Sequence, residues 1–206
     1  MRLLDIQYLP HPAYFALLWQ YPDIQLDRHE YFVKQTYRNR CRILTANGTD
    51  TLTIPVQHTG HKIPMHEVRI DYRQKWLQRH WRAIASAYGK APFFEYYADE
   101  LQRIFYSRPV FLIDLTTALL TQCLDFLDFD RPLHFTDTYY DLREEPANDW
   151  RSLIHPKTNP AYSKTYKQVP YQQVFGSIFV DNLSVLDLIF CTGPQAGALI
   201  KAGIRA

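Results

Sequence analysis

The sequence predicts an α/β fold: a small mixed sheet from the amino-terminal third, a mid-chain helical cluster and a long irregular C-terminal arm. Three observations predict it. A strand–helix–strand pattern fills the first 30 residues, an alternating pattern brackets Asn47-Gly48, and from Arg73 the apolar residues recur at helical spacing. An α+β arrangement with a purely antiparallel sheet is the alternative, because periodicity does not fix strand order.

Leu3–Tyr8 reads as the first strand. Leu9-Pro-His-Pro-Ala13 is a turn, and a helix starting after Pro12 covers Ala13–Gln20. Asp23–Leu26 alternates like a second strand, giving a parallel pair with a crossover near minimal length. Tyr37–Leu44 and Thr51–Val56 flank Asn47-Gly48 as a hairpin, and Val68–Ile70 can add a strand. Leu77, Trp81, Ile84, Ala85 and Tyr88 form the apolar stripe of a helix that Gly89 can end, with Lys75, Arg79 and Arg82 off that stripe. Phe94, Tyr97, Leu101, Ile104 and Phe105 mark a second helix starting near Pro92. Pro109 opens a third, Val110–Leu127, apolar nearly all round and therefore central. Leu133–Phe135 is a late strand. Residues 141–176 have little periodicity and hold Pro146, Pro156, Pro160 and Pro170; they read as an extended arm or lid, or else as disorder. Ser184 and Asp187 form a capping-box pattern ahead of a last helix, which Gly193-Pro194 stops. The whole chain, 1–206, is read as one domain.

At 206 residues the chain is 47% hydrophobic and 21% charged, which supports a packed core and excludes disorder over most of the length. With a net charge of +2, attraction to nucleic acid or anionic lipid has to come from local patches. Basic and aromatic residues do not interleave over a long surface, so nucleic-acid binding is disfavoured. The longest apolar run, Val110–Leu120, is broken by Asp114 and too short to span a bilayer. Asp5 interrupts any secretory h-region, and the three cysteines are far apart, so a cytoplasmic protein with reduced thiols is expected. His58, His61 and His66 lack the further ligand a metal needs, and no metal site is predicted. The signature motifs of the large cofactor classes are missing, so no cofactor is assigned.

The chemistry-bearing stretch is Glu30–Ile43. In extended backbone, Arg38, Arg40 and Arg42 fall on one face and Tyr37, Asn39, Cys41 and Ile43 on the other. Adjacent guanidiniums repel one another unless water, carboxylates or a phosphate-bearing ligand face them. The row is thus either an anion-binding surface or a solvated face on an edge strand. Glu30 and Asp27 precede it and can pair with its arginines. His80 beside an apolar stripe, and His11 in the turn after the first strand, are candidate proton acceptors; each can equally be a packed structural histidine.

Several blocks resemble the WbqC-like proteins, in the form associated with Bacteroidota. They are Tyr8-Leu-Pro10 with Tyr14-Phe15, Tyr31 to Cys41, Ala46-Asn-Gly48 through Leu52-Thr-Ile-Pro-Val56, and Ile70-Asp-Tyr72 with Trp76. His80 to Tyr88, Pro92-Phe-Phe-Glu-Tyr-Tyr97, Tyr171 to Phe175 and Asn182 to Asp187 complete the set. The usual opening of the wider family is a Gln-Pro pair, whereas here Gln7 is followed by Tyr8. The resemblance implies a place in surface-polysaccharide (O-antigen) biosynthesis and a transferase moving an aminoacyl (glycine-like) or acyl group from an activated donor to a sugar. The expected partners are an anionic small-molecule donor and a sugar substrate. Lys34, Arg38 and Arg40 would hold the donor's phosphate or carboxylate, Gln35 and Asn39 would orient the acceptor, and Gln7, Tyr14 and Tyr37 would complete the binding set. His80 or His11 would take the proton. A non-catalytic binding or scaffold protein and a nucleotidyltransferase-like enzyme are the alternatives.

Overall fold

The computed structural model describes residues 1–57, 61–143, 145–156 and 164–205. His58 and residues 157–163 of the arm lie outside that set. Strand β1 (Arg2–Asp5) pairs in parallel with β2 (Ile24–Asp27), with Leu3 opposite Gln25 and Asp5 opposite Asp27. The crossover is helix α1 (Pro12–Gln20), which begins on a proline whose missing N–H costs nothing there. Its residues from Pro12 to Leu18 are all buried, so the helix runs through the core rather than over it. Leu26 forms a parallel bridge to Phe135, and Leu3 forms one to Asp149 on the opposite edge. The late strand expected at Leu133–Phe135 is therefore a single bridge.

The second sheet is the hairpin of β3 (Arg40–Thr45) and β4 (Gly48–Thr53). Its two-residue loop is Ala46-Asn47, one residue earlier than the Asn-Gly signal, and Gly48 with φ +101° starts β4. The α/β class holds, the parallel β1–β2 pair excludes a purely antiparallel sheet, and the strands are divided between two sheets.

The strand expected from Tyr37 begins only at Arg40. Residues 33–38 are taken up by a turn in which Gln35 has φ +63° and the Thr36 hydroxyl donates to the Val33 carbonyl. The three arginines therefore form no single row. Arg38 is turned inward and is 1% exposed, while Arg40 and Arg42 are half-buried on one face of β3.

Helices α2 (Trp76–Tyr88), α3 (Phe94–Tyr106) and α4 (Leu112–Phe126) follow in order. The region expected as a strand at Val68–Ile70 makes isolated bridges instead, Ile70 with Val56 and Arg69 with Phe111. That second bridge holds the chain extended through Phe111, so α4 starts two residues later than Val110. Helix α5 (Val185–Thr192) is capped by the Ser184 hydroxyl, which accepts from Leu186 N. The expected reciprocal half of the capping box does not form. The Ser184 N–H donates to the Arg42 carbonyl, and Asp187 accepts from the Tyr171 hydroxyl and the Gln173 amide. A short helix α6 (Ala196–Ala202) closes the chain. Among the described residues no helix is long and apolar enough to cross a membrane.

Gly193 ends α5 at φ +52°, and a Cβ there would overlap the Phe93 ring. Gly193→Ala is expected to cost about 2 kcal/mol or more, from left-handed strain and ring displacement together. Urea unfolding of the variant checks it, and an unchanged midpoint would refute the packing assigned to this corner.

Candidate functional site

The carboxyl ends of parallel strands are where open α/β sheets place ligands. Here that edge carries acids. The in-register pair Asp5 and Asp27 ends β1 and β2, with exposures of 1% and 0%. Gln7 follows β1, and Glu30, also buried, follows β2. Residues of one register position on paired strands share a sheet face, so two carboxyls stand side by side out of water. Such a pair is costly unless cations or protons reach it.

Two arginines supply the cations. Arg38 donates from Nε and Nη2 to the two Glu30 oxygens at 2.8 and 2.5 Å, and its Nη1 lies 3.4 Å from Asp5 Oδ2. Its Nη2 also reaches the Arg151 carbonyl at 2.6 Å. Arg151 places Nη1 3.0 Å from Asp27 Oδ2 and grips Asp149 through Nε and Nη2. The other Asp27 oxygen accepts from His29 N, Glu30 N and the Thr136 hydroxyl, which fixes the turn after β2. Gln7 Nε2 bridges Asp5 Oδ2 and the Ile154 carbonyl, both at 3.1 Å. The Tyr14 hydroxyl donates to the Asp5 carbonyl at 2.9 Å.

Residues 149–154 form a strap over this edge. It is attached where Trp150 N donates to the Leu3 carbonyl at 2.8 Å, where Trp150 meets Tyr21 edge-on, and where Ile154 is buried. Beneath it lie the three buried carboxyls of Asp5, Asp27 and Glu30 with the Arg38 guanidinium, while the strap itself contributes Arg151 and the exposed Asp149. Burial, the largest cause, raises the pKa of Asp5 and of Glu30, and the single guanidinium of Arg38 offsets this only in part. The two-point grip on Glu30 would by itself keep that carboxyl ionised, whereas Asp5 meets Arg38 at the longer distance and its Oδ1 has no partner among the described residues. We therefore assign the upward shift to the two carboxyls as a coupled pair sharing one cation.

Of the residues expected to bind substrate, Gln7, Tyr14 and Arg38 come together in this cluster. The others lie apart. Tyr37 donates to Asn182 Oδ1 at 3.0 Å, and Asn39 Nδ2 donates to the Ile54 carbonyl at 2.8 Å. Lys34 and Gln35 are exposed on the turn before β3, and Arg40 lies on the β3 face. His11 caps α1, its Nδ1 accepting from Ala13 N, and burial lowers its pKa to about 3. His80 is held between the Tyr8 hydroxyl, 2.9 Å from Nδ1, and the Thr53 carbonyl, 3.2 Å from Nε2. The carbonyl can only accept, so Nε2 carries the proton and Nδ1 takes the Tyr8 hydrogen. Burial lowers the His80 pKa to about 4.

The cluster contains residues that sequence reasoning did not single out: Asp5, Thr136, Asp149 and Arg151. An Asp at the end of each short strand was the available signal for the first. Arg151 and Asp149 sit in an aperiodic segment and gave none.

The sequence model of the WbqC-like protein family matches residues 6–159, most of the chain, and the chain belongs to that family. It is similar to "Uncharacterized protein Rv1507c" of Mycobacterium tuberculosis (strain ATCC 25618 / H37Rv), 32% identical over 107 residues. That alignment covers 51% of this chain and 46% of the relative, so the chain spans about half of the relative's length. No solved structure matches it.

The raised carboxyls set a pH dependence. A raised folded-state pKa means that the native state binds more protons than the unfolded chain above pH 4.5, the ordinary Glu value. This stabilisation is complete below that pH and is lost as pH rises through the folded pKa. His80 and His11 act with the opposite sign, but only below their ordinary value of 6.5. From pH 6.5 upward, the unfolding free energy of the parent minus that of Glu30→Gln should therefore fall, as read by urea titration. A flat difference would contradict the shift. Arg38→Met strands two buried acids and is expected to cost about 3–5 kcal/mol at neutral pH.

Proposed function

We propose that this member of the WbqC-like family is a transferase in which the Asp5–Glu30–Arg38 cluster takes the proton from an acceptor nucleophile. In this reading a sugar hydroxyl or amine attacks the carbonyl of an activated acyl or aminoacyl donor. The acceptor proton passes to the carboxyl pair, and the donor's leaving group departs. The observation that carries the reading is the pair of buried carboxyls sharing one guanidinium at the carboxyl end of the parallel strands. Burial moves their proton affinity toward neutrality, where a base that both accepts and returns a proton works best. Arg38 serves as the positioning residue that orients the pair.

The strap is the lid in this proposal. It shares Arg38 and Gln7 with the cluster through the carbonyls of Arg151 and Ile154, so lifting it uncovers Asp5 and Glu30 together. The family's association with surface polysaccharides, implied by the resemblance above, supports a sugar acceptor and a cytoplasmic place, where activated donors are available. His80 and His11 are poorly suited as bases, because hydrogen bonds to the fold hold both rings and burial lowers their proton affinity. The capping bond of His11 likewise gives a nucleotidyl-transfer role no support.

A second reading is a non-catalytic binding or scaffold protein. It is favoured by the strap's contacts, which leave Asp5 and Glu30 almost without exposure in the closed form.

The test uses the purified chain with acyl and aminoacyl thioester donors and nucleotide-linked amino sugars, read by product mass. Transfer is expected, with Glu30→Gln or Asp5→Asn lowering turnover at least about a hundredfold while the circular dichroism stays native. Absence of any transfer product, or full turnover by both variants, would leave the scaffold reading standing.

A further inference from the structure

A second site has the opposite sign. Arg79 and Arg82 lie on the exposed face of α2, and Lys75 is its N-cap, four residues before Arg79, so the three cations fall within about 10 Å along the helix axis. With Thr51 and Thr53 of β4 they line a cleft of about 620 Å³ that also includes Trp76 and His80. This size suits a small molecule. No acidic side chain lines the cleft, and none of the three cations makes an ion pair among the described residues.

Two further features point to an anion. Among the described residues helix α2 has no side chain capping its amino terminus, and it has no acid in its first turn, so no side-chain charge of its own offsets its positive pole. Trp76, in that first turn and 4% exposed, is among the residues lining the cleft, and its Nε1–H is buried with no partner among the described residues. A buried N–H donor left unsatisfied is expensive, and an acceptor oxygen that reaches it through a small shift of the cleft wall would satisfy it. Arg40, whose Nε also lacks a partner among the described residues, is the cross-strand neighbour of Thr53 and borders the same face.

We infer that the cleft between β4 and the amino-terminal half of α2 binds the diphosphate group of a small molecule, held by Lys75, Arg79, Arg82 and the Trp76 indole. Three cations on two helical turns match adjacent phosphoryl groups rather than an extended polyanion. The inference goes beyond the proposed transfer chemistry and does not depend on it. Its test reads binding alone, so the two can fail separately.

Inorganic pyrophosphate and uridine diphosphate are titrated into the ¹⁵N-labelled chain and followed by NMR and calorimetry. Both should bind saturably, shift the Trp76 indole resonance and bind more weakly as salt is raised, since exposed charges are screened. The Arg79→Glu/Arg82→Glu double variant, altered only at exposed positions, should bind at least about tenfold more weakly. Arg103→Glu on the exposed face of α3 should bind as the parent does. No saturable binding of either probe at millimolar concentration would overturn the inference. So would binding of the nucleotide without pyrophosphate, or binding that survives the double variant.

Discussion

The register of one short parallel pair governs much of this molecule. Because Asp5 stands opposite Asp27 at the carboxyl end of β1 and β2, two acids are brought together where water is excluded. Such an arrangement persists only if cations are delivered from elsewhere in the chain. Arg38 and Arg151, 113 residues apart, deliver them and are joined to each other through the Arg151 carbonyl. The turn between β2 and β3 and the strap at 149–154 are thus anchored to the same charges. Neither segment has the apolar periodicity that would position it by packing alone.

This anchoring explains where the sequence could be read and where it could not. The alternation around Asn47-Gly48 and the stripe of α2 reflect local periods, and both elements appear close to where they were expected. Ser184 and Gly193 bound α5 for local reasons also. The path of Arg38 is not local. Period-2 geometry placed it beside Arg40 and Arg42, but the Coulomb attraction of Glu30 and Asp5 turns it inward, and the strand starts only at Arg40. The division into two sheets follows, because residues 33–39 are spent on that turn and on the bond from Tyr8 N to the Tyr37 carbonyl. Asp187 shows the same limit: its spacing from Ser184 fits a capping box, yet Tyr171 and Gln173 from the distant arm claim its carboxylate.

For the candidate site, the sequence supplied Gln7, Tyr14 and Arg38, together with the expectation that Glu30 and Asp27 would meet arginines. Glu30 does pair with Arg38, but the partner of Asp27 is Arg151, which no local pattern flags. The imidazoles attracted notice as titratable groups beside apolar residues. Burial makes them poor proton carriers while making the carboxyls better ones. Desolvation disfavours whichever form is charged, so it pushes the two residue types in opposite directions.

Whether the acidic cluster is a staple or a site turns on its balance. Buried ion pairs add little stability compared with apolar residues of the same volume, and such replacement is often favourable by about 1–4 kcal/mol. A staple should at least be neutral and fully bonded. This cluster has more acids than bases, and Asp5 Oδ1 and Gln7 Oε1 lack partners among the described residues. It therefore has room for a proton or a donor that the closed chain does not provide, as the proton taken from an acceptor would be. The cationic cleft on α2 has the complementary excess. Gln7 of the cluster is followed directly by Tyr8, whose hydroxyl holds His80 at the cleft. A phosphate-bearing donor bound at one end of this connection and an acceptor deprotonated at the other would place the two reactants on charges of the sign each requires.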